Sequence, residues 1–307
     1  MPPIVACTDL KKRYGAVEAL RGLTFSVAAG GCVGLLGPNG AGKTTTLRIL
    51  TGLAPASGGR AEVAGQNPWR QRDPVRRRIG YLAQQPAFYN WMTGLEFLQF
   101  VAAFFGIGGR AGRDRAEALL KRVGLWDARR RAIGGYSGGM KQRLGIAQAL
   151  INQPEIVFLD EPISQLDPVG RHEVLELIAG LSAETTVFMS SHVLADVERV
   201  ADRVIIINEG RVALDSGMDE LRRQHAAPVY EIEAQGAGVD LGAVLRALPY
   251  VAAVRREGPA WRVAVNDPAA ARARLPRAVL DAGAELIHYG VKAPTLEDVF
   301  LKVVGEP

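Results

Sequence analysis

The stretch Gly37, Pro38, Asn39, Gly40, Ala41, Gly42, Lys43, Thr44 (GPNGAGKT) fits the pattern G-x-x-x-x-G-K-[ST]. It sits between an apolar run at 33–36, which reads as a buried strand, and a helix that starts near Lys43. Glycines at 37, 40 and 42 let the backbone turn tightly and aim its N–H groups at phosphate oxygens. The positive end of the helix dipole adds to that field. In such a loop Lys43 contacts the β- and γ-phosphates of a nucleotide, and the Thr44 hydroxyl ligates Mg²⁺. A glycine-rich turn with an incidental lysine is the bland alternative, and the flanking strand and helix disfavour it.

Outward from this loop, three more apolar runs read as buried parallel strands, at 156–159, 186–189 and 204–207. Helical patterns at 140–151 and 168–181 separate them, so the expected class is α/β with a mainly parallel sheet. The second of the four strands continues as IVFLDE, which puts Asp160 at its carboxyl edge, where open α/β sheets bind ligands. Asp160 is then a candidate Mg²⁺ ligand, and Glu161 a candidate base for an attacking water. A pair of solvated acids ending a strand is the alternative for IVFLDE taken alone. The stretch from about 73 to 132 has helical periodicity and many arginines, and reads as a helical insertion without strands.

Bulk properties set bounds but choose little. The 307 residues carry a net charge of +5 and a pI near 9.3, which suits an anionic ligand or an acidic membrane surface. Cys7 and Cys32 lack metal-type spacing, and Cys32 in its apolar run reads as a buried free thiol. The N-terminal stretch lacks the basic start and apolar run of a secretory leader, and the longest greasy segment, 97–107, is short of a bilayer span. A soluble protein is expected, one that must borrow a membrane partner for any transport role.

At YSGGMKQR, 136–143, the sequence resembles the ABC ATPases; Ser137 lies 23 residues before Asp160, the order and spacing of that family. Physically, Ser137, Gly138 and Gly139 open a helix whose bare N–H groups can bind a phosphate. The resemblance implies that this phosphate belongs to ATP held by a facing subunit. It also implies that Tyr14 in KRYG stacks on adenine and that Gln84 in YLAQQP senses Mg²⁺ and water. It makes Asp167 in SQLDP the acid of a loop crossing the dimer, and His192 in SSH the contact to the γ-phosphate. Thr45 joins residues 37–44 in the ATP site. Tyr136, Ile163 and Gln165 depart from the usual family residues, and Gln165 bears on the hydrolysis rate. The implied function is the ATPase subunit of an ABC transporter, with ATP and Mg²⁺. The implied partners are a second ATPase subunit and integral-membrane permease subunits at the cytoplasmic face of the membrane. Alternatives are a soluble ABC ATPase acting on ribosome or DNA, reached through arginines 76–78 and 129–131, or a slow nucleotide-gated regulator. No nucleic acid partner is expected.

The ATPase domain is expected over 1–224. After the polar stretch RRQHAAP, 222–228, a small accessory domain over 229–307 reads as βαββαβ, a ferredoxin-like order, with a last helix at 296–303. That tail, PTLEDVFLKVVG, resembles ATPase subunits of the bacterial drug-, ion- and polysaccharide-export branch. Phe88, Tyr89 and Trp91, just after Gln84, form either an exposed patch for a docked partner helix or packing inside the insertion.

Overall fold

All four apolar runs fall in one sheet of the computed structural model, which describes residues 2–164, 166–224, 229–235, 240–292, 296–297 and 300. The chain divides into two compact units, Met1–Met218 and Asp219–Pro307. The first begins with β1 (Val5–Tyr14), β2 (Val17–Val27), β3 (Cys32–Leu36), α1 (Lys43–Leu50) and β4 (Gly58–Val63). It continues through α2 (Arg72–Arg78), β5 (Ile79–Leu82), α3 (Gly94–Phe104), α4 (Gly109–Arg122), α5 (Gly138–Ala149) and β6 (Ile156–Asp160). It closes with α6 (Pro168–Ser182), β7 (Thr186–Ser191), α7 (Leu194–Val200), β8 (Arg203–Asn208) and β9 (Arg211–Gly217).

The six-stranded sheet runs β5-β6-β7-β3-β8-β9, parallel except for β9. β3, β6 and β7 are buried at every residue, which is why they are continuous apolar runs rather than alternating ones. Because β3, β5, β6 and β7 are parallel, their carboxyl ends share one edge, and the loops there carry the candidate site.

A second sheet, antiparallel in the order β2-β1-β4, packs into the same core through Leu10, Leu20, Leu23 and Phe25. The Phe25 ring stacks on Phe188 of β7 at 6.1 Å. The apolar-run criterion missed this sheet, because β1 and β2 alternate buried and exposed residues. The expectation of no strand between 73 and 132 also needs correction, since β5 lies there. β5 has only four residues, and Gly80 in its middle breaks the apolar run. A Cβ at Gly80 would collide with the Ala149 carbonyl, so glycine is what lets α5 approach the strand. α3 starts with a capping box, Thr93 with Glu96, which fixes its first turn.

The second unit opens on α8 (Met218–Gln224), so residues 222–224, read as linker, lie in a helix. β10 (Val229–Gln235), α9 (Leu241–Arg246), β11 (Val251–Glu257), β12 (Ala260–Val265), α10 (Pro268–Asp281) and β13 (Glu285–Lys292) follow. The sheet order β11-β12-β10-β13, all antiparallel, is a split βαβ arrangement with its own core around Tyr230, Ile232, Val263 and Leu275. Asp240 and Asp267 cap α9 and α10. Most of the helix expected at 296–303, and Gln165, lie outside the described residues.

Candidate functional site

Residues 37–42 wrap from the end of β3 to the start of α1. Gly40 and Gly42 take φ of +83° and +107°, a backbone conformation that favours glycine. Around a Cβ at Gly40 there is open space, where a ligand can approach, whereas one at Gly42 would meet Leu20 Cδ2 at 2.6 Å. Lys43 points back under the loop. Its buried Nζ donates to Gly37 O at 2.7 Å and Pro38 O at 3.3 Å, and lies 3.5 Å from Glu161 Oε1. Burial lowers the Lys43 pKa, and the Glu161 carboxylate works against that shift.

The acids at the end of β6 are held from three sides. Asp160 Oδ1 accepts from the Ser190 hydroxyl at 2.7 Å and the Thr44 hydroxyl at 3.2 Å. Asp160 Oδ2 is buried with no hydrogen-bond partner. Burial raises the Asp160 pKa, opposed by the Ser190 and Thr44 hydroxyls. An orphaned carboxylate oxygen beside a threonine hydroxyl fits a hard divalent cation, which takes oxygen ligands. Glu161 adopts φ of +50°, a conformation that costs a non-glycine residue roughly 1 kcal/mol. That turn brings its carboxylate to both Lys43 and His192, whose Nδ1 is 2.8 Å from Glu161 Oε2.

Ser190 is the residue the sequence reading missed. Besides holding Asp160, its Oγ accepts from Glu161 N at 2.9 Å, so one hydroxyl aligns both acids. The signal was present in the serines preceding His192 on an apolar strand.

Gln84 lies exposed two residues past β5, and β5 pairs with β6 up to Leu82 opposite Leu159. Tyr14, at the end of β1, is 44% exposed with Lys12 Nζ 4.7 Å over its ring. Ser137 caps α5, accepting from Met140 N at 3.2 Å, and Asp167 caps α6, accepting from Gly170 N at 3.0 Å. The two caps sit side by side: Ser137, Gly138, Gly139, Asp167 and Gly170 line one depression, and a Cβ on Gly139 would lie 3.8 Å from Gly170 Cα. Among the described residues, no hydrogen bond or ion pair joins that depression to residues 37–45. Tyr136 is buried, its hydroxyl donating to Ala128 O at 2.8 Å, so it ties the helical insertion to the start of α5.

Beyond Gln84 the aromatic residues divide. Phe88 packs edge-on against Phe97 at 5.2 Å, while Tyr89 and Trp91 are exposed. Tyr89 also meets Phe100, which meets Phe104, giving an exposed run of four rings in which Trp91 and Phe104 are 76% and 73% accessible.

A phosphate-binding loop, a buried acid pair and a histidine at the carboxyl edge of a parallel sheet define a nucleoside-triphosphate hydrolase of the phosphate-loop class. The ABC transporter family pattern matches residues 20–164, and the C-terminal domain pattern of DrrA1-3-like ATP-binding proteins matches residues 217–304. The uncharacterized ABC transporter ATP-binding protein YxlF of Bacillus subtilis is 41% identical over 98% of this chain and 99% of its own length. The daunorubicin resistance ATP-binding protein DrrA3 of Streptomyces coeruleorubidus is 38% identical, over 96% of this chain and 94% of that protein. The bacitracin transport ATP-binding protein BcrA of Bacillus licheniformis is 34% identical, over 99% and 98%.

Among solved structures, the ATP binding subunit of an ABC transporter superposes with a TM-score of 0.65 at 32% identity, covering 72% of this chain and 92% of that one. A dimeric ATP-binding cassette in a post-hydrolysis state with ADP and Pi gives 0.63 at 26% identity, covering 70% of this chain and 98% of that one. The chain belongs to the ATP-binding proteins of ABC transporters, and it is an ATPase of that family.

Proposed function

We propose that two copies of the chain close around two ATP molecules and that hydrolysis drives an export cycle through separate membrane subunits. The observation that carries this is the grouping of Lys43, Asp160, Glu161 and His192 at one sheet edge while Ser137 and Asp167 line a separate depression. Residues 37–45 hold the phosphates, with Tyr14 against the adenine. Thr44, Asp160 and Gln84 would hold Mg²⁺, which when bound neutralises charge on the β- and γ-phosphates.

Glu161 accepts a proton from the attacking water, and His192, hydrogen-bonded to Glu161 Oε2, orients it and contacts the γ-phosphate. Lys43 exchanges its Glu161 contact for phosphate oxygens, which frees Glu161 Oε1 for that water. Ser137, Gly138, Gly139 and Asp167 complete the site of the facing subunit. The relatives named for drug resistance and bacitracin transport support the export direction.

The exposed rings of Tyr89, Trp91, Phe100 and Phe104, next to Gln84, are the surface for a helix of the membrane partner at the cytoplasmic face. Co-expression with the membrane protein encoded beside this chain tests the whole reading. A stable complex whose ATPase rate responds to the partner is expected, and Trp91→Ala with Phe104→Ala should dissociate it while ATP binding persists. A chain that hydrolyses ATP at one rate with and without every such partner refutes it. A ribosome or DNA role is disfavoured because Arg129 and Arg131 lie over the chain's own rings, Trp126 and Tyr136.

A further inference from the structure

The arginines of the loop before α2 and of α2 itself have no place in the ATPase chemistry. The stretch from Trp69 to Arg78, WRQRDPVRRR, carries five arginines against one aspartate. Their surroundings separate them. Arg78 is consumed internally, paired with both Glu155 oxygens at 2.6 and 2.7 Å. Arg72 lies over the Trp69 ring at 3.4 Å and donates to Trp69 O. Arg70, Arg76 and Arg77 are exposed, and among the described residues their side chains make no ion pair or hydrogen bond.

The backbone that carries these three cations is well held. Val75 anchors α2 in the core, and the Asn152 amide donates to the carbonyls of Arg77 at 3.1 Å and Ile79 at 3.0 Å. Asn67 Oδ1 accepts from the backbone N–H of Trp69 and Arg70, fixing the preceding loop. A cluster of unpaired arginines is a standing field that the fold itself does not neutralise.

Acids are sparse here, Asp73 on α2 and Glu62 beside Arg70, and among the described residues neither pairs with these three arginines. Arg76 lines the same groove as Leu53, Tyr81, Val101 and Phe105. Leu53 is 53% exposed, and Trp69 stands half-exposed beside the Pro68 carbonyl that packs on Gly52. Arg76 thus shares a groove with exposed Leu53, and Arg70 lines a depression with the accessible Trp69. That composition matches a bilayer interface, where indole rings sit at headgroup depth and guanidinium groups meet lipid phosphates.

We infer that Arg70, Arg76 and Arg77 form a contact site for acidic phospholipid headgroups, touching the bilayer directly beside the groove of Leu53 and Phe105. The orientation of this face toward a membrane rests on the proposed function; the lipid contact itself is a property of this chain alone. Each arginine that reaches an anionic surface strengthens binding about fivefold, so the three together account for on the order of 100-fold.

Flotation of the full chain, without any membrane protein, with vesicles of phosphatidylcholine alone or mixed with phosphatidylglycerol tests the inference. Absence of a permease keeps this outcome independent of the transport reading. Binding is expected only to the phosphatidylglycerol vesicles, with loss at high salt. Joint replacement Arg70→Gln, Arg76→Gln, Arg77→Gln should reduce it on the order of 100-fold, with ATP affinity unchanged as the check on folding. A charge-matched control, Arg272→Gln, Arg274→Gln, Arg277→Gln on the exposed side of α10, should keep it. Equal loss in the control, equal binding to phosphatidylcholine alone, or displacement by a short nucleic acid duplex at lower phosphate concentration than by lipid would each overturn the assignment.

Discussion

Glu161 is gripped at both oxygens, by His192 Nδ1 at 2.8 Å and by Lys43 Nζ at 3.5 Å. Each oxygen therefore already has one cationic or hydrogen-bonding neighbour, which restricts how a water can approach it. In the proposed cycle, phosphate draws Lys43 away from Glu161, which would link nucleotide arrival to readiness of the base. Glu161→Gln keeps the shape and removes the basicity. Turnover should fall at least 100-fold while ATP remains bound and a closed dimer accumulates, as read by size exclusion with ATP. A variant hydrolysing ATP at the wild-type rate would remove Glu161 from the base role.

Lys43→Ala acts at an earlier stage. It deletes the cation whose Nζ lies beneath residues 37 and 38, so phosphate loses a charge-assisted hydrogen bond worth about 1.5–3 kcal/mol. ATP affinity should weaken roughly 10- to 100-fold in a titration with a fluorescent nucleotide. Unchanged affinity would count against the cradle.

The two cysteines give a pH test of the core. Burial pushes both Cys7 and Cys32 up from 9.0 to about 12. Between those values the folded chain holds both protons and the unfolded chain releases them, so the associated stability is complete below pH 9 and disappears as pH rises toward 12. Native protein should leave both thiols unreactive toward a disulfide reagent at mildly alkaline pH, and denaturant should expose both. A rapidly labelled native thiol would contradict the burial of β1 and β3.

What the sequence disclosed follows from how local each feature is. Residues 37–44 and the IVFLDE strand are contiguous, and their chemistry is set by neighbours within a few positions. The pairing of Lys43 with Glu161, or of Ser190 with Asp160, joins distant strands and needs the sheet order β6-β7-β3 to exist. β5 was hidden by its length and by Gly80, a residue chosen for the approach of α5 rather than for strand propensity. Phe100 and Phe104 went unremarked although their i, i+4 spacing sets both on one face of α3. That helix is apolar on nearly every side, so periodicity could not separate the core face of Phe97 and Leu98 from the exposed one.

Each unit has its own core, one around Leu35, Phe158 and Phe188 and the other around Tyr230, Val263 and Leu275. Every candidate nucleotide-site residue lies in the first. A chain ending at Gln224 should fold and bind Mg-ATP with wild-type affinity, measured by thermal melting with and without nucleotide. Failure to fold would mean that the units stabilise one another.

Ser137 and Asp167 cap adjacent helices that open onto one depression, whose lining includes none of residues 37–45. The Ser137 cap leaves N–H donors at the start of α5 with the positive end of its dipole, which suits a γ-phosphate brought by a second copy. Hydrolysis should therefore rise more than linearly with protein concentration while monomers dominate. Ser137→Arg adds bulk and a long side chain to the depression lined by Gly139 and Gly170, so the closed dimer should fail while monomeric ATP binding survives. Mixing Ser137→Arg with Lys43→Ala sharpens the test. In the mixed dimer one composite site carries both lesions and the other is intact, so each mixed dimer should turn over at up to about half of the wild-type rate if a single site suffices. Turnover that is complete in a strictly monomeric sample, and independent of concentration, would eliminate the shared-site mechanism.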